Sequence, residues 1–292
     1  MNIKELYMPF KGYKTYIRIV GDGYTKPPLL LLHGGPGSTH NSFELLDDLS
    51  IKDKRPIIMY DQIGCGLSPC DDENLLNPDI WVKELEEVIK FLKLGKVHIM
   101  GHSWGGMLLI IYMCDKKRDG ILSITLSSTL SSSSLWESES RKLIDKMNEE
   151  DKRIIYKAIE DNDFKSDEFK EVLDKYYYLY VFDKPNEESP ECLRRVKPKT
   201  KSYSAWGPCE FMPQGILKDY EYTEKLKNIN VPTLILSREK DESTPLQNEV
   251  LYNNISNYKE KYLFKNARHL TYYDSHDEYE DVLMKFLNKF DS

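Results

Sequence analysis

The apolar positions of this chain fall into two alternating patterns. Short apolar runs at 15–20, 28–32, 56–60, 97–100 and 121–126 read as strands, and several are continuous enough to suit strands covered on both faces. Between the third and fourth, Trp81, Leu85, Val88, Ile89 and Leu92 recur near helical spacing, which predicts a helix over 79–94. After Ser127 a serine-rich joint leads into charged, tyrosine-rich helical sequence through Tyr180 and then a proline-dotted segment to Pro213. Strand signals return at 231–236 and 261–264, before a last amphipathic helix carrying Val282, Leu283, Phe286 and Leu287. The pattern predicts an α/β fold with a mostly parallel, doubly wound sheet. Its core is split over 1–128 and 214–292, and a helical cap is inserted over 129–213. No internal repeat interrupts this organisation.

The chemistry starts where the run at 97–100 meets Gly101-His102-Ser103-Trp104-Gly105-Gly106. A strand, a sharp turn and a helical stretch in immediate succession make the Gly-x-Ser-x-Gly sequence a nucleophile elbow. Its flanking glycines let the backbone turn tightly enough to push the Ser103 hydroxyl out above a sheet. Without that setting the same five residues describe an ordinary strand-to-helix turn.

A serine hydroxyl is a weak nucleophile and needs a base, which in turn needs an orienting carboxylate. Asp241 follows the strand at 231–236 and His269 follows the strand at 261–264, so both reach the same sheet edge in the order serine, acid, histidine. Two plainer readings stand beside these: Asp241 as a helix N-cap before Pro245, and His269 as an ordinary polar histidine. The other five histidines are worse placed. His98 lies in a strand, His102 in the elbow, His40 on an early helix and His276 at the start of the last one, while His33 opens a glycine turn. That turn, His33-Gly34-Gly35-Pro36-Gly37, follows the strand at 28–32 and can aim backbone N–H groups at a developing oxyanion, with Gly35 and Trp104 the expected donors. A phosphate cradle would need the Lys-Ser/Thr pair that the turn lacks.

Composition narrows the function class. At 292 residues with 40% hydrophobic and 30% charged residues, the chain has material for a full core, and its net charge of −7 argues against nucleic acid. Its five cysteines are scattered without a Cys-x-x-Cys pair, so neither a disulfide framework nor a zinc cluster is expected. No apolar stretch approaches the ~20 residues that span a bilayer, and the first residues lack a signal-peptide core. A cytoplasmic protein without membrane partners, metal or organic cofactor is the expectation.

Three motifs together, the His33-Gly34-Gly35-Pro36-Gly37 turn, Asp61-Gln62-x-Gly64-x-Gly66-x-Ser68 and Gly101-x-Ser103-Trp104-Gly105-Gly106, resemble the proline iminopeptidase branch of the α/β-hydrolases, which includes the tricorn-interacting aminopeptidases. The resemblance covers nearly the whole chain. It implies a serine aminopeptidase that removes an N-terminal residue, often proline, from small peptides with a free N-terminus. It also implies carboxylates that hold the substrate's α-amino group, and Glu210 and Glu242 match those positions. Glu242 at a helix start and Glu210 facing solvent are the plainer alternatives. The chain departs from the commoner Asp-Gln-Arg-Gly pattern at Ile63 and places Arg268 before the histidine, departures that bear on substrate preference. Tyr176, Tyr177, Tyr178, Tyr203 and Trp206 either line the substrate pocket or form the core of the cap, with core the default. Two other functions use the same residues: a carboxylesterase or amidase with this triad, and a non-catalytic binding protein of the same fold.

Overall fold

The computed structural model describes residues 2–198 and 200–292. Eight strands form one sheet: β1 (Ile3–Phe10), β2 (Tyr13–Val20), β3 (Leu29–Leu32), β4 (Ile57–Tyr60), β5 (Val97–His102), β6 (Ile121–Ser127), β7 (Thr233–Arg238) and β8 (Lys259–Phe264). Their spatial order is β1-β2-β4-β3-β5-β6-β7-β8. The β1–β2 and β2–β4 pairs are antiparallel and every later pair is parallel.

The continuous apolar runs have a direct structural reason. Along β3, Leu30 and Leu32 enter one apolar cluster while Leu29 and Leu31 enter another. Along β4, Ile58 and Tyr60 separate from Ile57 and Met59 in the same way. Successive side chains point to opposite faces, so a strand with helices on both sides needs apolar residues at every position. Each leucine removed from water in this way contributes on the order of 1.5–3 kcal/mol before the entropy of ordering is counted.

One face is covered by α2 (Pro78–Phe91) through Trp81, Leu85 and Val88, and by α3 (Trp104–Asp115) through Met107 to Cys114. The other is covered by α1 (Asp47–Asp53) through Leu49, and by the C-terminal helix (His276–Leu287) through Tyr279, Leu283, Phe286 and Leu287. α2 starts where Asn77 accepts the Ile80 N–H on its side chain and Pro78 supplies a preset φ. Every residue from Trp104 to Cys114 is buried, which is why α3 lacks a polar face.

Two assignments differ from the sequence pattern. The apolar pattern does not predict β1, because its charged, alternating sequence hides an edge strand whose outer face is solvated. β7 begins at Thr233 because Pro232 has no N–H for the ladder, although its carbonyl accepts the Ile124 N–H at 2.9 Å.

Between β6 and β7 lie α4 (Ser133–Ile144), α5 (Glu149–Asp161), α6 (Asp167–Tyr180) and α7 (Glu191–Arg194). This segment has an apolar cluster of its own, built from Leu143, Ile144, Ile155, Phe169, Val172, Tyr176, Phe211 and neighbours. The remaining helices, α8 (Pro245–Asn254), α9 (Thr271–Asp274) and α10 (His276–Leu287), follow β7 and β8. No helix among the described residues is long and apolar enough to cross a membrane.

Candidate active site

β5 passes into α3 through one residue, Ser103, with φ 55° and ψ −123°. A side chain in this region of backbone space is strained and is held there by its surroundings. The Ser103 N–H donates to the Ser127 carbonyl at 2.9 Å, and the Thr129 hydroxyl donates to the Ser103 carbonyl at 2.8 Å. A Cβ at Gly101 would collide with the Gly105 carbonyl, and one at Gly105 with the Leu32 carbonyl, so the elbow admits only glycine there. The Ser103 side chain makes no capping hydrogen bond.

The parallel strands end on one edge, and the chemistry collects there. Asp241 lies three residues beyond β7 and His269 five beyond β8. His269 Nδ1 is 2.7 Å from Asp241 Oδ1. Asp241 also accepts the Ser243 N–H at 2.8 Å and the Ser128 hydroxyl, and Arg238 Nη1 stands 3.8 Å away. Burial pushes the Asp241 carboxyl upward. The charges of His269 and Arg238 and the hydrogen bonds from His269 and Ser128 outweigh it, and hold the group ionised below the usual carboxylate range. Asp241 does not cap α8, whose N-cap is Thr244.

His269 and Ser103 line one cavity of about 320 Å³, together with Gly34, Gly35, Tyr177, Lys197, Tyr203, Glu210 and Glu242. No hydrogen bond joins Ser103 to His269 among the described residues; such contacts commonly tighten only around substrate. His102 packs against His269 with ring centroids 4.8 Å apart, and burial holds its pKa well below the ordinary value, keeping a second charge away from His269.

The glycine turn passes close to Ser103, since a Cβ at Gly34 would lie 3.1 Å from Ser103 Cβ. Gly35 has φ +113°, a value that suits glycine. The N-terminus of α3 brings the Trp104 N–H and the positive end of a helix dipole to the same place. Asp61 and Gln62 fix this region. Asp61 accepts from the His40 backbone N–H at 2.7 Å and from the Leu67 N–H at 2.7 Å. The Gln62 N–H donates to His33 Nε2 at 3.0 Å, which requires a neutral ring; burial lowers the His33 pKa to about 4. The sequence motif marked this loop without revealing its task. Ile63, where the pattern departs, is buried, and its N–H donates to the Glu84 carboxylate at 2.8 Å.

Glu242 and Glu210 meet at the cavity. Glu242 is 1% exposed, its Oε1 lies 3.7 Å from His269 Nδ1, and its Oε2 has no partner. Burial, then the charges of Glu210 and Asp241, pushes its pKa well above the ordinary value. Glu210 is likewise raised by burial, against the pull of His269 and Lys197. Its backbone carbonyl accepts two indole N–H groups, from Trp136 at 2.8 Å and from Trp206 at 3.0 Å. The Glu210 residue is half-buried and lines the cavity.

The aromatic residues divide. Tyr177 and Tyr203 line the cavity, against the core default, whereas Tyr176 and Trp206 are core and Tyr178 is 65% exposed. Arg268 turns away from the cavity to pair with Asp183 and Asp274, and joins the histidine loop to the end of α6 by donating to the Tyr178 carbonyl at 2.9 Å. The serine-rich joint is buried from Ser127 to Ser133 and supplies Asp241 with its Ser128 partner, a role that composition could not reveal. A second cleft of about 610 Å³ is lined by Arg18, His40, Glu44, Asp61 and Arg195, which are paired with one another or with Asp47, and by Glu5, which accepts the Tyr16 hydroxyl.

Comparison with known proteins identifies the family. A family model of the alpha/beta hydrolase fold matches residues 27–275. The proline iminopeptidase of Lactobacillus helveticus (strain DPC 4571) is 45% identical and that of Clostridioides difficile (strain 630) 44% identical, each over the full length of both chains. Among solved structures, VinJ superposes with a TM-score of 0.89 at 24% identity, covering 98% of this chain and 99% of its own. The proline iminopeptidase of Mycobacterium smegmatis gives 0.87 at 24%, covering 99% of each chain. At that identity these two likenesses speak for the fold. The full-length sequence relatives carry the finer assignment: this chain belongs to the α/β-hydrolase fold family and, within it, to the proline iminopeptidases.

Proposed function

We propose that the protein is a serine aminopeptidase that releases N-terminal proline from small peptides. In this reading Ser103 attacks the carbonyl of the first residue, and His269 takes the hydroxyl proton and passes it to the leaving amine. Asp241 holds the imidazole in orientation and stabilises its charged form. The N–H groups of Gly35 and Trp104 receive the oxyanion, and water then releases the acyl group from Ser103. Residues 129–213 act as a cap that contributes Glu210 to the site, while 1–128 and 214–292 form the core.

The observation that carries the reading is the unpartnered, buried Oε2 of Glu242 beside Glu210 in the cavity that holds Ser103. An unpaired buried carboxylate is costly, and an ammonium group satisfies it. A free α-amine held there sets the first peptide bond over the nucleophile and leaves no room for a residue before it. The test is a panel of aminoacyl amides with free amines, proline included, run against simple acyl esters. Preferential cleavage of the proline amide is expected. Equal or better turnover of the esters would replace the peptidase reading with an esterase one.

A further inference from the structure

The cavity holds one charged group that the reaction above does not use. Lys197 lies between α7 and the segment that leads to Glu210, and its ammonium donates to Ser38 Oγ at 3.2 Å. It enters no ion pair among the described residues. Its side chain is exposed to solvent, and the burial it does have lowers its pKa against the opposing pull of Glu210 and Asp61.

The arrangement of charge is bipolar. Glu242 stands on the side of the histidine, 3.7 Å from His269 Nδ1, and Lys197 stands on the side of the glycine turn, held by Ser38. Ser103 lines the same cavity as both. Val181, Phe182, Leu193 and Leu270 give the same cavity an apolar portion of its lining. A cavity of about 320 Å³ suits a ligand of only a few residues.

We propose that Lys197 binds the C-terminal carboxylate of a short peptide, so that the site selects di- and tripeptides by both ends of the zwitterion. This rests on the aminopeptidase reading. With the α-amine at Glu210 and Glu242 and the first carbonyl over Ser103, the second residue of a dipeptide carries its carboxylate beyond the scissile bond. The four-carbon stem of lysine lets a compact charge follow a carboxylate displaced by one further residue. A long peptide, or one with a blocked C-terminus, forgoes that contact.

The experiment compares kcat/KM for prolyl-alanine and prolyl-alaninamide in wild type, Lys197→Met and Lys197→Arg. A charge-assisted contact at a solvent-exposed lysine predicts that wild type favours the free acid by about three- to fivefold, expressed in KM. Lys197→Met brings the acid-to-amide ratio to about one, and Lys197→Arg restores most of it. The ratio is insensitive to general damage, because both substrates share the triad and the amine site. Equal cleavage of acid and amide by wild type overturns the proposal even if no variant folds, and so does a wild-type ratio in Lys197→Met. Failure of wild type to cleave either substrate, or proline amide, overturns the aminopeptidase reading and this inference with it.

Discussion

Gln62 binds Trp104 side chain to side chain, its Oε1 accepting the indole N–H at 2.7 Å, while its Nε2 donates to the His33 carbonyl at 3.1 Å. One amide thus spans the two segments that flank Ser103: the glycine turn after β3 and the first residue of α3. Beneath it, the buried Glu84 carboxylate receives the Ile63 N–H and so fixes the loop that carries Gln62.

Gln62→Leu removes both contacts and leaves the Trp104 indole N–H and the His33 carbonyl without partners. We expect kcat for proline amide to fall roughly 10–100-fold with KM little changed, because the lost positioning acts on the oxyanion and not on the amine. Steady-state kinetics beside a melting curve checks this, and an unaltered kcat contradicts it.

Asp241→Asn keeps the shape of the acid but cannot stabilise a charged His269, and it leaves Arg238 without its opposing charge at 3.8 Å. A loss of about 10⁴ in kcat is expected. Ser128→Ala removes one of the hydrogen bonds to Asp241 and should cost far less, roughly three- to tenfold.

Glu242 gives a prediction in which stability and function move in opposite directions. Its folded pKa is raised above the ordinary 4.5, so the folded state retains a proton that the unfolded chain has already released. The resulting penalty is absent below about pH 4.5 and grows as pH rises toward the folded value. Glu242→Gln should therefore melt several degrees higher than wild type at pH 7 and equally at pH 4, while KM for free-amine substrates rises at least tenfold. Calorimetry at the two pH values and kinetics at pH 7 test both halves.

His40 works in the other sense. Burial lowers its pKa, but hydrogen bonds to Asp61 and Glu44 outweigh burial and push it up to about 9. Its contribution is complete below about pH 6.5 and is lost as pH rises through about 9. His40→Asn should cost on the order of 2–4 kcal/mol at pH 6 and much less at pH 9.5, measured by urea unfolding at both. An equal cost at the two pH values would show that the His40–Asp61 pair is not charged.

The parts of this molecule that were legible in its sequence are those where a local rule acts alone. β3 and β5 declare themselves because burial on both faces demands unbroken apolar runs, and the elbow because two backbone collisions demand glycine at 101 and 105. Asp241 and His269 were readable because parallel strands deliver the residues that follow them to one edge. Ser128 and Lys197, and the task of Gln62 within its motif, were not, since each acquires its place from contacts across 113, 159 and 42 positions of chain respectively. The tyrosines of the 129–213 segment were ambiguous for a related reason: Tyr176 and Tyr177 are neighbours in sequence, yet one is core and the other lines the cavity, according to which way α6 turns each.

The most direct test of the account is hydrolysis of proline amide and N-acetylproline amide by wild type and Ser103→Ala. The account predicts that wild type cleaves the free-amine substrate, that acetylation lowers kcat/KM by at least a hundredfold, and that Ser103→Ala cleaves neither. Cleavage of the acetylated substrate at a comparable rate, or residual wild-type activity in Ser103→Ala, would contradict it.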